Sequence, residues 1–352
     1  MSNSQESQET QEPDAFRQYK KVAPVDLRME VKDVEDEDSA LHSILASNSV
    51  TSRTAGRNNN KRESREDNGQ LSYQIPSPEE NWSSETHLMN LPTNAYGTIT
   101  FINETTGSNK PAKYIRLTSD TQMSDILTLF SDYWHLMDPH RPQLAISVTG
   151  GAKNFRLDGK KKATFTMGLI KAVKSTNAWI LTGGMNVGVM RSVGEAVNQG
   201  QYMVKEKEHV VRGIRCLGVV PWGYIRNRED LVNKDTNVFA SVRYKVEEEV
   251  QHHETVSLNG DHTHFLLVDD GFRNRYQGID AFRTELEEAI MEEEPRGLGI
   301  PVVLLLLEGG LSSLLKCKLA LRRRIPVVVV AGTGRGADLL AYAASMTCHT
   351  PR

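Results

Sequence analysis

The pattern of apolar and polar positions changes near residue 96. Before it, residues 1–95 are mostly polar or charged, as in "SNSQESQETQEP" and "TAGRNNNKRESREDNGQ". Such segments bury too little apolar surface to offset the entropy lost on ordering, so we predict a disordered tail over 1–95. From 96 to 346, short apolar runs alternate with stretches of helical spacing, which predicts one folded domain followed by a short tail over 347–352.

The apolar runs predict strands that are buried on both faces, because they are apolar throughout rather than at alternate positions. They are "LAISVTGG", "AWILTGG", "CLGVVPWG", "HFLLVDDG", "PVVLLLLEGG" and "PVVVVAGTG", and most are separated by helical stretches. This alternation predicts right-handed βαβ units and an α/β fold with a doubly wound, mostly parallel, Rossmann-like sheet. "YGTITFI" and "KYIRLTS" predict a hairpin at the sheet edge, and residues 224–260 predict a less regular insertion.

Composition excludes several classes of function. The 352 residues are 25% charged with a formal net charge of −3, which gives no general case for binding nucleic acid or an anionic membrane. The three cysteines are far apart, which favours free thiols in a reducing compartment over disulfides or a zinc site. The polar start is unlike a secretory signal, and the apolar runs are shorter than a membrane helix, so we expect a soluble cytosolic segment.

Four strands end in glycine-containing turns. These turns are "VTGGAKNF" (148–155), "LTGGMNVG" (181–188), "LEGGLSSL" (307–314) and "AGTGRGAD" (331–338). In a doubly wound sheet they lie along the carboxyl edge, where ligands bind, and the helix that follows each turn favours a phosphate at its N-terminus. For a single turn, tight packing at the junction between strand and helix is a better explanation of the glycine than a ligand. Four on one edge predict a groove for a nucleotide with more than one phosphate.

The last turn matches the dinucleotide pattern G-x-G-x-x-[GA] from Gly332 to Ala337. It lies on the last strand, with no room for an acidic ribose partner some 20 residues further on, so a conventional NAD site is rejected. Arg335 stands at a helix start, where a cation opposes the helix dipole and an arginine fork for phosphate is the better explanation. Tyr276 could stack on a base and Arg283 could clamp a phosphate, but spacing alone favours a surface tyrosine and a solvated arginine.

Other candidate chemistry is sparse. His262 and His264 alternate at a strand start and so point to opposite faces, which argues against a shared metal and favours buried or capping roles. Asp269 and Asp270 end a strand at the ligand edge, where Ca²⁺ or Mg²⁺ is conceivable and turn capping is favoured. The acidic run "EEAIMEEE" (287–294) predicts a solvated helix face. We therefore predict neither a catalytic residue nor a metal site.

"SVTGGAKNF", "NAWILTGG", "HTHFLLVDDG" and "GTGRGADLLAYA", in this order, resemble the N-terminal cytosolic homology region of melastatin-type transient receptor potential (TRPM) cation channels. The likeness covers roughly 96–346, and the "TGGAKNF" form most resembles the ADP-ribose-gated kind. The resemblance implies a Rossmann-like fold of the SLOG superfamily. It also implies a homotetrameric, Ca²⁺-permeable plasma-membrane channel opened by ADP-ribose together with Ca²⁺, with the Ca²⁺ site elsewhere and no cofactor in this segment.

The resemblance also implies which residues contact ADP-ribose. Tyr276, Arg283 and Arg335 match the family's ligand-contacting tyrosine and two arginines. The "LTGGMNVG" turn would line the diphosphate through Gly183, Gly184 and Met185. The "VTGGAKNF" turn would reach the sugar or base through Thr149 and Asn154. With the glycines of the last turn, the candidate ligand-binding residues are Thr149, Asn154, Gly183, Gly184, Met185, Tyr276, Arg283, Gly332, Gly334 and Arg335.

Two alternatives to a nucleotide-sensing channel domain stay open. SLOG relatives include phosphoribohydrolases of nucleoside monophosphates with the signature P-G-G-x-G-T-x-x-E, and the equivalent stretch here resembles "EGGLSSLLK". Glu308 then replaces the proline and Lys316 replaces the glutamate, so the carboxylate expected to act on the N-glycosidic bond is lost and binding without chemistry is favoured. The second alternative is a subunit-assembly module with a vestigial groove, which would not bind ADP-ribose.

Overall fold

The computed structural model describes most of the chain from residue 93 onward. The described residues are 93–102, 111–152, 155, 157–205, 213–233, 240–247, 255–271 and 279–347. Predictions that concern residues 1–92, Asn154, Tyr276 or residues 348–352 lie outside this part of the chain.

Nine strands form one sheet in the order β6-β1-β2-β7-β5-β4-β3-β8-β9. Every neighbouring pair is parallel except β1 with β2. The predicted α/β fold with a mostly parallel sheet is therefore confirmed. The strands are β1 (Tyr96–Ile102), β2 (Pro111–Thr118), β3 (Ala145–Gly150), β4 (Trp179–Thr182), β5 (Cys216–Pro221), β6 (Ala240–Lys245), β7 (His264–Asp269), β8 (Val302–Leu307) and β9 (Val327–Val330).

Helices cover both faces of the sheet and divide its core in two. The helices are α1 (Met123–Thr128), α2 (Gly159–Thr176), α3 (Gly188–Lys205), α4 (Ile279–Met291), α5 (Leu311–Arg322) and α6 (Arg335–Thr347). Apolar residues of α2 and α3 belong to one buried cluster, and those of α1, α4, α5 and α6 belong to the other. Within the described ranges, no helix combines the length and apolar character that crossing a bilayer requires.

The predicted hairpin of β1 and β2 forms, but it does not lie at the sheet edge. Strand β6, from the segment predicted to be irregular, pairs in parallel with β1 and takes the edge position. Tyr244 anchors it: the ring packs edge-on against Phe101 with centroids 5.8 Å apart, and the hydroxyl donates to the Arg226 carbonyl at 2.6 Å. One buried aromatic residue thus fixes a strand whose sequence carries little apolar pattern.

The four strands that end in glycine turns are neighbours, in the order β4-β3-β8-β9. The chain leaves β3 toward α2 on one face of the sheet and leaves β8 toward α5 on the other. The strand order therefore reverses between β3 and β8. In open α/β sheets a crevice forms at the carboxyl edge of such a switch point, and this is where ligands bind.

Candidate functional site

Hydrogen bonds join the turns at the carboxyl edge to one another. The amide of Val189, at the start of α3, donates to the Gly151 carbonyl of the β3 turn at 2.8 Å. Ser313 of α5 donates from Oγ to the Gly150 carbonyl at 3.2 Å, and the Glu308 amide donates to Thr333 Oγ1 at 2.8 Å. The predicted convergence of the glycine turns is thus found at the switch point between β3 and β8.

The first-turn amides of two of these helices are already occupied. At α6, the amides of Gly336 and Ala337 donate to the Gly309 and Glu308 carbonyls at 3.0 and 2.8 Å, and at α3 the Val189 amide is used in the same way. These three amides are therefore not available to a phosphate, whereas the expectation of a phosphate at the helix N-termini stays a prediction. The neighbouring turns lie close enough for their carbonyls to cap these helices.

Arg335 is an exposed cation at this edge. It begins α6 with a φ of +46°, a left-handed conformation that non-glycine residues rarely adopt. A Cβ built onto Gly310, the N-cap residue of α5, would lie 2.9 Å from Arg335 Nη2. The guanidinium therefore lies over the N-terminus of α5, and the first turn of α5 contains no acidic residue. Two positive groups meet at this point, and an anion placed between them would bind favourably to both.

Glu308 lies in the turn after β8, close to the turn that carries Arg335. A Cβ built onto Gly334 would lie 3.6 Å from Glu308 Cγ, and one built onto Gly151 would lie 1.7 Å from Glu308 Oε2. The carboxylate therefore fills the space that a glycine leaves open in the β3 turn. Glu308 Oε2 has no hydrogen-bond partner among the described residues, although solvent cannot reach it.

The glycine turn after β4 is packed inward. Gly183, Gly184 and Met185 are buried, and a Cβ on Gly184 would lie 2.6 Å from Val220 Cγ2. Tight packing against β5 accounts for a glycine at this position, whereas a Cβ on Gly332 would have no neighbour within 4 Å. Gly332 and Gly334 both have positive φ values, +81° and +103°, so the last turn needs glycine for its backbone conformation.

Thr149 and Arg283 both lie near the end of β3. Thr149 is half-buried in the strand, whereas Arg283 of α4 is buried beneath the sheet edge. Arg283 Nη2 donates to Ser147 Oγ at 2.6 Å and to the carbonyls of Val148 and Leu181 at 2.9 Å. Spacing alone favours a solvated arginine, and the burial of Arg283 shows that this expectation is wrong. A phosphate contact from Arg283 stays a prediction.

Glu287 holds this arginine in place and was missed by the sequence analysis. Its Oε1 accepts from Arg283 Nε at 3.1 Å, and its Oε2 accepts from Lys316 Nζ at 2.8 Å. The expectation that residues 287–294 form a solvated face is therefore wrong for Glu287, which is fully buried. The four-residue spacing between Arg283 and Glu287 was the available signal, since it places both on one helix face. Burial lowers the pKa of Lys316 from its usual value, and the nearby carboxylate of Glu287 opposes this.

The two histidines predicted to be structural are placed separately. His262 Nδ1 lies 2.9 Å from Asn259 Oδ1 and its Nε2 lies 2.6 Å from Thr182 Oγ1, which in turn accepts from the Gly184 amide at 2.8 Å. His264 lies instead beside Trp134, with ring centroids 5.0 Å apart. Burial lowers the pKa of each histidine to about 3, and both are therefore neutral near pH 7.

Asp269, the first residue of the acidic pair at the end of β7, has structural partners. Asp269 is buried and accepts from Arg116, whose guanidinium lies 4.6 Å from the centre of the Trp222 ring. It also accepts from the Gly271 amide at 3.3 Å, as a turn-capping carboxylate does. No group of three potential metal ligands occurs in the described ranges.

Comparison with known proteins identifies the family. The profile described as "SLOG in TRPM" matches residues 112–351. Mouse transient receptor potential cation channel subfamily M member 2 is 40% identical over 269 residues, which is 75% of this chain and 17% of that protein. Human subfamily M member 7 is 41% identical over 272 residues, which is 75% of this chain and 14% of that protein.

A third relative gives the same result. Subfamily M member-like 2 of Nematostella vectensis is 37% identical over 289 residues, which is 80% of this chain and 18% of that protein. The chain thus spans less than a fifth of the length of these relatives. The fold, the profile match and these identities agree: the chain belongs to the SLOG family of TRPM channels and corresponds to their N-terminal homology region.

Proposed function

We propose that this chain is a nucleotide-sensing regulatory domain of a TRPM-type, Ca²⁺-permeable cation channel, and that its ligand is ADP-ribose. One observation carries the proposal: the Arg335 guanidinium lies over the N-cap of α5, without an acidic residue in the first turn of that helix. A cation is unfavourable next to the positive end of a helix dipole unless an anion lies between them. A diphosphate supplies such an anion, and the planar arginine fork matches its oxygens.

The position of this pair in the sheet supports a nucleotide rather than free phosphate. Arg335 and Gly310 lie next to the switch point between β3 and β8, where the turns after β3, β8 and β9 meet. The relatives are named as cation channels, which supports a regulatory role in such a channel. Their length leaves room for the other channel domains on which a ligand-induced change would act.

Binding without chemistry is favoured over hydrolysis. Lys316, which replaces the glutamate of the hydrolase signature, is 1% exposed and donates to Glu287 Oε2 and Thr284 Oγ1 at 2.8 and 2.7 Å. This lysine is therefore held inside the domain and cannot serve as the missing acid or base at the edge. Ligand binding would act on the channel through its different affinities for two channel states.

An exposed apolar stripe on α6 favours a second, compatible role in assembly. Leu339, Tyr342 and Met346 are each at least 58% exposed and recur at helical spacing. Such a stripe on a surface helix indicates a packing partner, and other channel domains or neighbouring subunits of a homotetramer fit it.

Titration of the full chain with ADP-ribose, and with AMP for comparison, separates these functions when the products are analysed afterwards. Saturable binding without release of adenine, the base that hydrolysis of the N-glycosidic bond would free from either nucleotide, supports a sensor. Cleavage of either nucleotide supports the hydrolase, and no binding at millimolar ligand leaves assembly as the function of the domain.

A further inference from the structure

Glu308 combines two unfavourable features in one residue. Its φ of +53° is left-handed, a conformation that glycine adopts freely and glutamate does not. Its Oε2 is sealed from solvent and accepts no hydrogen bond from the described residues. Buried polar atoms without a partner are rare because they cost free energy. When strain and an unpaired group coincide beside a ligand crevice, they indicate a functional side chain.

The surroundings of Glu308 show where this side chain can act. Its carboxylate lies against Gly151, just beyond the last paired residues of strands β3 and β8. Alanine at residue 151 would occupy the same space, because its Cβ would lie 1.7 Å from Glu308 Oε2. The neighbouring Arg335 lies over Gly310 instead, and Glu308 Oε2 accepts no hydrogen bond from it. The carboxylate and the cation thus face different parts of the edge.

The two groups select different parts of a ligand. A carboxylate accepts hydrogen bonds and repels phosphate, whereas a guanidinium donates them and attracts phosphate. The two oxygens of a carboxylate suit a pair of neighbouring hydroxyls, and acidic residues bind ribose hydroxyls in other α/β nucleotide sites. A nucleotide in this crevice would therefore place its sugar and its phosphates in different positions.

We propose that Glu308 is a ligand-binding residue that accepts hydrogen bonds from the sugar hydroxyls of a nucleotide. The inference rests on the proposed function and adds an orientation to it: the sugar lies beside Glu308, and the diphosphate lies beside Arg335 and the N-terminus of α5. Rotation about the side-chain bonds of Glu308 brings the carboxylate from Gly151 to the ligand. The ligand then supplies the partner that Oε2 lacks.

The test is a calorimetric titration of the full chain and of its Glu308→Gly and Glu308→Gln variants. Glycine removes the carboxylate and suits the +53° φ, so this variant retains the fold, which a thermal melt checks. The ligands are ADP-ribose and two analogues, one lacking the hydroxyls of the adenosine sugar and the other lacking those of the terminal sugar.

We expect the unaltered chain to bind one of the analogues at least tenfold more weakly than ADP-ribose. We expect Glu308→Gly to bind ADP-ribose at least tenfold more weakly, with no further loss for that analogue, because the hydroxyl and the carboxylate act as one pair. Glu308→Gln keeps one acceptor oxygen, so its affinity for ADP-ribose should lie between those of the unaltered chain and Glu308→Gly. Two results would overturn the inference without contradicting the proposed sensor function. One is full affinity of Glu308→Gly for ADP-ribose. The other is a loss of affinity for the analogue without sugar hydroxyls that is as large in this variant as in the unaltered chain. Failure of the unaltered chain to bind ADP-ribose contradicts the proposed function itself.

Discussion

Glu287 of α4 and Lys316 of α5 form an ion pair 2.8 Å long in which neither side chain is more than 1% exposed. The same carboxylate also pairs with Arg283 at 3.1 Å, so one buried anion serves two buried cations. This shared carboxylate fixes α4 and α5 to each other beneath the candidate ligand edge. It also holds Arg283 against the carboxyl ends of β3 and β4.

Glu287→Ala should destabilise the fold by about 3–5 kcal/mol, because it leaves buried cations without their partner. The matched control is Glu288→Ala on the same helix, where the carboxylate pairs with Arg323 and both side chains are partly exposed. An exposed pair contributes about 0–1 kcal/mol, so the control should change stability little. Urea unfolding of both variants measures the difference, and equal losses would contradict a special role for Glu287.

Gly184→Ala should destabilise the fold by about 2–4 kcal/mol, the sum of overpacking and a left-handed backbone. Its φ is +66°, and the new Cβ would lie 2.6 Å from Val220 Cγ2 and 2.9 Å from Gly218 Cα. Gly168→Ala should change the stability of the fold in the opposite direction, because this exposed position on α2 has no atom within 4 Å of the new Cβ. Alanine there should stabilise the helix by about 0.5–1 kcal/mol. Thermal melts of the two variants should therefore shift in opposite directions.

His262 should make stability depend on pH below its ordinary pKa. Burial lowers its pKa from 6.5 to about 3 in the folded protein, so the unfolded chain binds the proton more tightly. The contribution of neutral His262 to the free energy of unfolding is complete above pH 6.5 and is lost as the pH falls toward 3. Between pH 6.5 and 5, where most carboxylates stay ionised, this single group contributes up to about 1.4 kcal/mol per pH unit.

Urea unfolding at several pH values within that window checks the contribution of His262. As the pH is lowered, the free energy of unfolding of His262→Gln should decrease less steeply than that of the unaltered chain. His264 has a similarly lowered pKa, so part of the slope should remain. His140→Gln changes an exposed histidine and should leave the slope unchanged. A slope that is identical in the His262 variant and the unaltered chain would contradict the neutral, buried assignment.

The strands of the sheet centre could be predicted from the sequence because burial on both faces leaves an unbroken apolar run. Strand β6 could not, since its edge position depends on the contact between Tyr244 and Phe101, which is distant in sequence. The convergence of the glycine turns followed from the rule for parallel sheets. The burial of Glu287 did not, because its partner Lys316 lies on another helix and an acidic run ordinarily faces water.

The arginine over the α5 N-terminus could be predicted only in part. The position of Arg335 at a helix start followed from its place after a glycine turn, and the structure has α6 begin there. The helix that it faces is α5 rather than its own, and this relationship depends on the packing of the β8 and β9 turns. Local spacing carries no information about that contact.

The most direct test of the central claim is a calorimetric titration with ADP-ribose of the unaltered chain, Arg335→Ala and Arg324→Ala. Both arginines are exposed and both have positive φ, +46° and +60°, so alanine imposes a similar backbone cost at each. Only Arg335 lies over Gly310. We predict that the unaltered chain and Arg324→Ala bind alike, and that Arg335→Ala binds at least tenfold more weakly, a loss of about 1.4 kcal/mol or more. Equal affinity of all three proteins, or no binding by any, would contradict a phosphate site at this edge.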